Sequence, residues 1–469
     1  MHTLEQLHNG TLGGAVRLRL SCGLTEFPRE IFALADTLEV LDLSDNALSA
    51  LPDDLARLSR LRILFCSNNR FTVLPAVLGA CAGLTMIGFK SNRIHTVPAS
   101  ALPPRLRWLI LTDNAIAALP ATIGRCTQLQ KLMLAGNQLP ALPPQLAHCT
   151  GLELLRIAAN RLDALPAWLL AMPQLAWLAY AGNPLDAADQ PLARHAAPVA
   201  PVTPAAIAWR RLALAHTLGE GASGIIYQAM LAPAGDAPPG AALAVAVKLF
   251  KGAVTSDGLP ACELAASIGA GSHPNLIPVL GEVAGHPDGV SGCVMTLIDP
   301  GFDNLAGPPS MDSCTRDIYP EHKRLSLAAL LRLASGIASA AQHLHSRGIM
   351  HGDLYAHNIL HTGAGAALLG DFGAASRHAG RGAQAHALQR LEVRAFGLLL
   401  GELIARCADG AATAAVLERL AGLRDACVQA APAARPLFDD IVGQLRTDAA
   451  HAPGEARHAR QVGHHSRQA

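Results

Sequence analysis

Three side chains in the second half of the chain, Asp353, Asn358 and Asp371, are of the types that handle protons and hard metal ions. They stand in two short peptides, His351-Gly352-Asp353-Leu354-Tyr355-Ala356-His357-Asn358 and Asp371-Phe372-Gly373. A carboxylate can accept a proton from a hydroxyl, and carboxylate and amide oxygens are the ligands that Mg²⁺ prefers. The chemistry such a set could do is phosphoryl transfer from ATP, which needs positioning and charge neutralisation more than covalent help.

Further upstream, Leu218-Gly219-Glu220-Gly221-Ala222-Ser223-Gly224-Ile225-Ile226-Tyr227 carries Gly219, Gly221 and Gly224 at the G-x-G-x-x-G spacing. That spacing also occurs in dinucleotide sites and in incidental turns. A dinucleotide fingerprint opens a helix, whereas Ile225-Ile226-Tyr227 and Leu243-Ala244-Val245-Ala246-Val247-Lys248 read as two strands. The glycines are therefore expected to turn a hairpin over the ATP phosphates. Lys248 ends an apolar strand, a poor place for a charge without an anionic partner. Glu263, ten residues before His273-Pro274-Asn275, is the expected partner from the next helix. The plainer alternatives are a strand-end lysine reaching solvent and a solvated helix carboxylate.

Gly336-Ile337-Ala338-x-x-Ala341-x-x-Leu344-His345-x-x-Gly348-Ile349 reads as a helix leading into Met350-His351-Gly352-Asp353. With these ordered motifs, residues about 212 to 445 resemble a eukaryotic-type protein kinase domain. Joined to the repeats described below, the chain resembles a leucine-rich-repeat protein kinase of bacterial type. The resemblance implies that Asp353 orients the substrate hydroxyl and accepts its proton, with Lys248 and Glu263 completing the catalytic set. It implies ATP binding by Gly219, Gly221, Gly224, Lys248 and Met295, the last at the hinge, and Mg²⁺ binding by Asn358 and Asp371. The expected acceptor is a protein hydroxyl, Ser/Thr rather than Tyr. Tyr355 occupies the place where Ser/Thr kinases usually carry lysine and tyrosine kinases often alanine, which leaves the acceptor residue open. His351, His357 and His361 read as structural or solvent-facing residues rather than as a metal cluster.

The pattern departs from that family in several places. Gly352 replaces the usual arginine before the catalytic aspartate, and Ser376 is the only hydroxyl residue among 371 to 392, which argues against control by a phosphorylated loop. Glu392-Val393-Arg394-Ala395-Phe396-Gly397-Leu398 resembles the family's D-x-W-S-F-G helix with Glu392 in the aspartate's place, only 21 residues after Asp371 and with no A-P-E between. Arg435 is accordingly expected to lack its usual glutamate. Residues 299 to 323 read as an inserted loop after the hinge. A pseudokinase or ATP-binding scaffold acting through the repeat surface is the alternative function, and a kinase of small molecules a third.

The elements that must carry this chemistry follow a long repeat. Asparagines 46, 69, 92, 114, 137, 160 and 183 recur at spacings of 22 or 23 in the frame L-x-x-L-x-L-x-x-N-x-L-x-x-L-P. This is the leucine-rich-repeat consensus: a short strand points two side chains inward, and one repeat cannot bury its face without neighbours. An imperfect first unit with Cys22 in the asparagine slot makes eight, after a cap over roughly 1 to 14. Alternation along the strands predicts an apolar concave track, with Phe65, Met86, Trp108, Met133 and Trp177 available to a protein partner and the tryptophans as anchors; packing on the chain's own C-terminal half is the alternative. The expected fold is an α/β leucine-rich-repeat solenoid over 1–185, an Ala/Pro-rich linker over 186–206, an α+β two-lobed kinase-like domain over 207–446 and a disordered tail over 447–469.

Composition fits a soluble protein with ample length for two cores. Lys plus Arg (37) nearly balances Asp plus Glu (36), without the electrostatic footprint of a nucleic-acid binder. No stretch approaches the roughly 20 apolar residues that span a bilayer, and the start lacks the pattern of a secretory signal, so no membrane and a cytoplasmic location are expected. The ten cysteines include no CxxC pair; Cys81, Cys126 and Cys149 recur three residues before a repeat leucine and read as small buried side chains.

Overall fold

Each Leu-x-Leu run folds as a three-residue strand with its central side chain turned inward. The strands are β1 (Arg17–Arg19), β2 (Val40–Asp42), β3 (Ile63–Phe65), β4 (Met86–Gly88), β5 (Trp108–Ile110), β6 (Lys131–Met133), β7 (Leu154–Arg156) and β8 (Trp177–Ala179). Their central residues, from Leu18 and Leu41 to Leu155 and Leu178, are buried. The eight pair in parallel, in chain order and with matching registers. The Leu-Pro pair that closes a repeat opens a short 3-10 turn, as at Ala76–Ala80, Ala121–Arg125 and Pro144–His148, which drives Leu78, Ile123 and Leu146 into the core. In this computed structural model residues 2–185, 205–221, 223–234, 242–252, 254–378, 382–408 and 413–450 are described. They fall into two units, Met1–Gln190 with Ala253–Leu259, and Pro191–Gly252 with Pro260–Ala469.

The repeated asparagine solves a backbone problem. At each turn, carbonyls and amides are removed from water without a strand partner, and each needs a hydrogen bond. Asn160 Nδ2 donates to the carbonyls of Leu134, Ile157 and Ala158, while its Oδ1 accepts from the amide of Leu139 one repeat earlier. Asn69, Asn92, Asn114, Asn137 and Asn183 repeat the arrangement. Asn160→Ala orphans several buried groups at once and is expected to cost about 2–4 kcal/mol of stability; a denaturation midpoint equal to wild type would contradict this. The recurrent cysteines are buried, and burial pushes the thiols of Cys81 and Cys126 up to about 11 and Cys149 to about 12. Ahead of β1, helix α1 (Leu4–His8) is closed by a capping box between Thr3 and Gln6.

The concave face differs from the open track that alternation predicts. Phe65 and Trp108 are half-buried, but Met86, Met133 and Trp177 are only 3%, 8% and 2% exposed, and Leu154 is also buried. Part of this surface is occupied by the chain itself. Within the repeat unit, Asp257 Oδ1 accepts from Nε of the buried Arg156 at 2.6 Å, and a Cβ on Gly136 would come within 2.7 Å of Val254. The segment around Asp257 is a self-bonded turn in which Thr255 Oγ1 accepts from the amides of Asp257 and Gly258. Strand alternation tells which side chains leave the core; it is blind to what lands on them.

The second unit begins at β9 (Ala205–Ala208), which lies parallel against β13 (Val279–Ala284). The expected linker thus lies outside the described residues as far as 204, and its last two residues, Ala205 and Ala206, are strand. A Cβ on Gly281 would stand 2.1 Å from the Ala205 carbonyl, so this pairing needs glycine. β10 (Leu212–Glu220), β11 (Gly224–Leu231), β12 (Leu243–Phe250) and β14 (Gly292–Thr296) complete a six-stranded sheet in the order β10-β11-β12-β14-β13-β9. Val245, Val247, Ala229 and Val294 form its core.

Helix α3 (Pro260–Ala270) follows β12 and carries Glu263 in its first turn; α2 (Ala167–Leu170) belongs to the repeats. The rest of the unit is mainly helical: α4 (Leu327–Ser346), α5 (Ala383–Ile404), α6 (Ala414–Cys427) and α7 (Phe438–Ala450). α4 starts at Ser326, whose side chain accepts from the Ala329 amide, and stops at Gly348, which takes the left-handed φ of 69°. Phe438 of α7 meets Phe396 of α5 edge-on at 5.5 Å in the core. Helix α7 runs through Ala450, so the start of the expected tail, 447 to 450, is helical; the remainder lies outside the described residues. Small sheets pair β15 (Asp303–Asn304) with β17 (Ile359–His361) and β17 with β18 (Ala367–Leu369), and β16 (Ile349–Met350) with β19 (Ser376–Arg377). Among the described residues no helix is long and apolar enough to cross a membrane.

Candidate active site

Lys248 lies on β12 between Ile226 of β11 and Cys293 of β14. A buried ammonium needs counter-charge, and it has two: Nζ contacts Glu263 Oε1 of α3 and stands 3.3 Å from Asp371 Oδ1. Burial alone would lower the lysine's pKa, but the Asp371 and Glu263 carboxylates outweigh it and hold the group protonated. Glu263 is enclosed, whereas the Asp371 side chain is 49% exposed. Asp371 takes the left-handed φ of 56°, a region Asp tolerates better than most residues, and its Oδ1 accepts from the Gly373 amide.

The residues of the peptide from His351 to Asn358 are held in a chain of contacts. His351 is fully buried; its Nε2 donates to the Gly370 carbonyl at 2.9 Å, and its Nδ1 accepts from the Asp353 amide. Asn358 Nδ2 donates to both the carbonyl and Oδ2 of Asp353, at 2.9 and 2.8 Å, while its backbone carbonyl accepts from the Gly370 amide, so the side-chain oxygen Oδ1 is the acceptor that these contacts leave over. Asp353, Asn358 and Asp371 thus offer hard oxygen donors. Among the described residues no cluster of three or more His, Cys, Asp or Glu could by itself hold a metal. The oxygen donors of these three side chains are of the kind that fits Mg²⁺, a hard cation bound through one or two carboxylates together with water and substrate phosphate.

Gly352 and Glu392 explain each other. The backbone at Gly352 has φ of 73°, where glycine is favoured, and this turns two successive amides toward one carboxylate. Glu392 Oε2 accepts from the His351 amide and His345 Nε2, and Oε1 accepts from the Gly352 amide at 2.7 Å. Burial pushes the Glu392 carboxyl up, but the hydrogen bond and charge of His345 and the amides outweigh it and hold it below the usual range. Arg435, for which the sequence offers no A-P-E glutamate, donates from Nε to Gln429 O and from Nη1 to Arg390 O. Burial, with Arg394 nearby, lowers its pKa to about 10.

Over the Lys248 site, β10 and β11 form the glycine-bearing hairpin, closed by Gly221 N donating to Gly224 O at 2.9 Å. A Cβ on Gly224 would come within 2.5 Å of the Leu249 carbonyl, while one on Gly219 or Gly221 would meet open space. Gly224 is therefore needed by the fold, and the other two leave bare backbone that a phosphate can approach. Met295 lies on β14 opposite Ala246, at the end that leads out of the sheet.

Contacts missed by sequence reasoning come from residues 299–323. Asp317 receives His357, and Tyr319 donates to Glu402 Oε2 at 2.9 Å, under the guanidinium of Arg406. Burial pushes the Glu402 carboxyl up to about 7 even though the Tyr319 hydrogen bond opposes it. Because the folded state favours the protonated form, this group's stabilising contribution is present below about 4.5, its ordinary value, and is lost as pH rises through about 7. Glu402→Gln is expected to flatten that part of the stability profile; identical slopes for variant and wild type in denaturation from pH 4.5 to 8 would refute it.

Comparison with known proteins agrees with this geometry. Residues 212–397 match the protein tyrosine and serine/threonine kinase family, and residues 37–58 match the leucine-rich repeat. The chain is 30% identical over 173 residues to fibroblast growth factor receptor 1 of Pleurodeles waltl, and 29% identical over 177 residues to that of Xenopus laevis. Those matches cover 35% and 36% of this chain, which spans only about a fifth, 21%, of each relative. The chain therefore carries a protein kinase domain following an N-terminal array of leucine-rich repeats.

Proposed function

We propose that the C-terminal unit transfers the γ-phosphoryl group of ATP, with Mg²⁺, to a protein hydroxyl, Ser or Thr in first place, and that the repeats recruit a protein partner. The observation that carries this reading is the buried Lys248 held between Glu263 and a half-exposed Asp371. In this reading Lys248 takes the α- and β-phosphates, with Glu263 keeping its ammonium in place. The bare backbone of Gly219 and Gly221 covers the phosphates, and Met295 marks the edge of the nucleotide pocket. Asn358 and Asp371 would hold Mg²⁺, which when bound neutralises charge on the phosphates. Asp353, oriented by the Asn358 amide, accepts the proton of the attacking hydroxyl. A cytoplasmic location accords with the reading.

One observation favours a second reading, a non-protein acceptor or an ATP-binding scaffold. Helix α5 already begins at Ala383, ten residues after Gly373, which leaves little chain for a surface that docks a peptide. Labelled γ-phosphate from ATP and Mg²⁺, offered to generic protein substrates and to a metabolite panel with Asp353→Asn as control, separates the readings. Protein labelling that vanishes in the variant supports the first. Label on metabolites alone, or nucleotide binding without any transfer, would replace it.

A further inference from the structure

Asn358 stands between two neighbours that are both tied down by residues 299–323. On its N-terminal side, Asp317 Oδ2 accepts from the His357 amide at 3.0 Å and Oδ1 lies 2.7 Å from His357 Nδ1. On its C-terminal side, β15 pairs with β17, with Asp303 opposite His361 and Asn304 opposite Leu360, and the Leu305 amide donates to Ile359 O. The segment is itself anchored. Gly307 and Ile318 exchange backbone hydrogen bonds, and Tyr319 is locked by Glu402 and Arg406.

The Asp317 side chain has no exposed surface. A carboxylate withdrawn from water loses its hydration and must be compensated by fixed donors. Two of them come from one residue, the backbone and ring of His357, so the ion fixes both the position of that peptide and its orientation. The next residue is Asn358, whose amide in turn sets the Asp353 carboxylate. The constraint therefore runs from the inserted segment into the two side chains that the proposed reaction uses.

We propose that Asp317 is a positioning residue for the metal-holding end of the catalytic loop, acting through His357 on Asn358 and Asp353. This inference rests on the kinase reading above, with the segment 299–323 as part of the catalytic framework rather than a surface insertion. Outer partners that orient ligands of this kind typically change metal affinity or activity by about 10- to 100-fold.

The test uses the full-length protein with Asp317→Ala and Asp317→Asn, the latter retaining one acceptor for the His357 amide. Two properties are measured: amide exchange of residues 355–359 without nucleotide, and affinity for a non-hydrolysable ATP analogue with Mg²⁺ and with EDTA. Asp317→Ala is expected to speed exchange there and to weaken Mg²⁺-dependent binding by about 10-fold each, with Asp317→Asn between it and wild type. Binding in EDTA and exchange in α4 and α7 should stay as in wild type. Unchanged loop exchange overturns the proposal, as does a loss spread evenly through α4 and α7. If Asp317→Ala does not fold, Asp317→Asn decides, and wild-type behaviour in it overturns the proposal. Wild type that binds the analogue equally with and without Mg²⁺ would sink the kinase reading, while loop exchange still tests the role of Asp317.

Discussion

Asp371→Asn is expected to lower phosphoryl transfer by at least about 10³-fold, roughly 4 kcal/mol of transition-state stabilisation, while leaving the fold intact. Asparagine keeps the shape of the side chain and tolerates the left-handed backbone that Asp371 adopts, so the variant isolates the charge. That charge has two uses. In the proposed function it is the half-exposed carboxylate that would hold Mg²⁺, and in the structure it is one of the two anions that keep the buried Lys248 protonated. Asn358, the other residue proposed to hold the metal, cannot replace it, because an amide oxygen brings no net charge. Transfer of labelled γ-phosphate, read beside a thermal melt, decides the matter: more than a tenth of wild-type activity in a folded variant would rule out Asp371 as the essential metal-holding carboxylate.

The second large effect is expected at Glu392. Its carboxylate is almost wholly buried and accepts from the His351 and Gly352 amides and from His345. Glu392→Ala leaves all three groups facing a cavity and is expected to cost about 3–5 kcal/mol, enough to unfold a marginally stable domain. Glu392→Asp, one methylene shorter, should lie between. The carboxyl is held below its ordinary range, so its contribution is complete above about 4.5 and is lost as pH falls through the lower folded value. Wild type should accordingly weaken in acid more steeply than Glu392→Gln. A Glu392→Ala protein with a wild-type denaturation midpoint would show that the loop has another anchor.

Both residues stand out in the sequence, but for different reasons. Asp371 is legible because Asp-Phe-Gly is a local word. Glu392 is legible only as an odd residue in a familiar helix; the geometry gives its reason. Gly352 leaves room for a left-handed turn that aims two amides at one longer acid, and His345, 47 residues away in sequence, supplies a third donor. The same split runs through Arg435. The absence of an A-P-E peptide before it can be read from the sequence, whereas its hydrogen bonds to the carbonyls of Gln429 and Arg390 cannot.

What the amino-acid order determined by itself is whatever repeats at short range: the asparagine ladder, the inward leucines, the glycine hairpin with Lys248 on the neighbouring strand, and the pairing of Asn358 with Asp353 five residues before it. Each of these depends on periodicity or on a few adjacent residues, and backbone geometry translates them directly into placement. The tertiary structure alone decided which surfaces are covered and which polar groups meet. Trp177 and Met133 lie on the predicted concave face yet are buried, and Asp317 turns an apparent insertion into a support for Asn358. Such contacts join residues far apart in the chain. They are selected by the packing of whole elements and by the cost of leaving a buried charge or amide unpaired, and neither quantity is written in any local stretch of sequence.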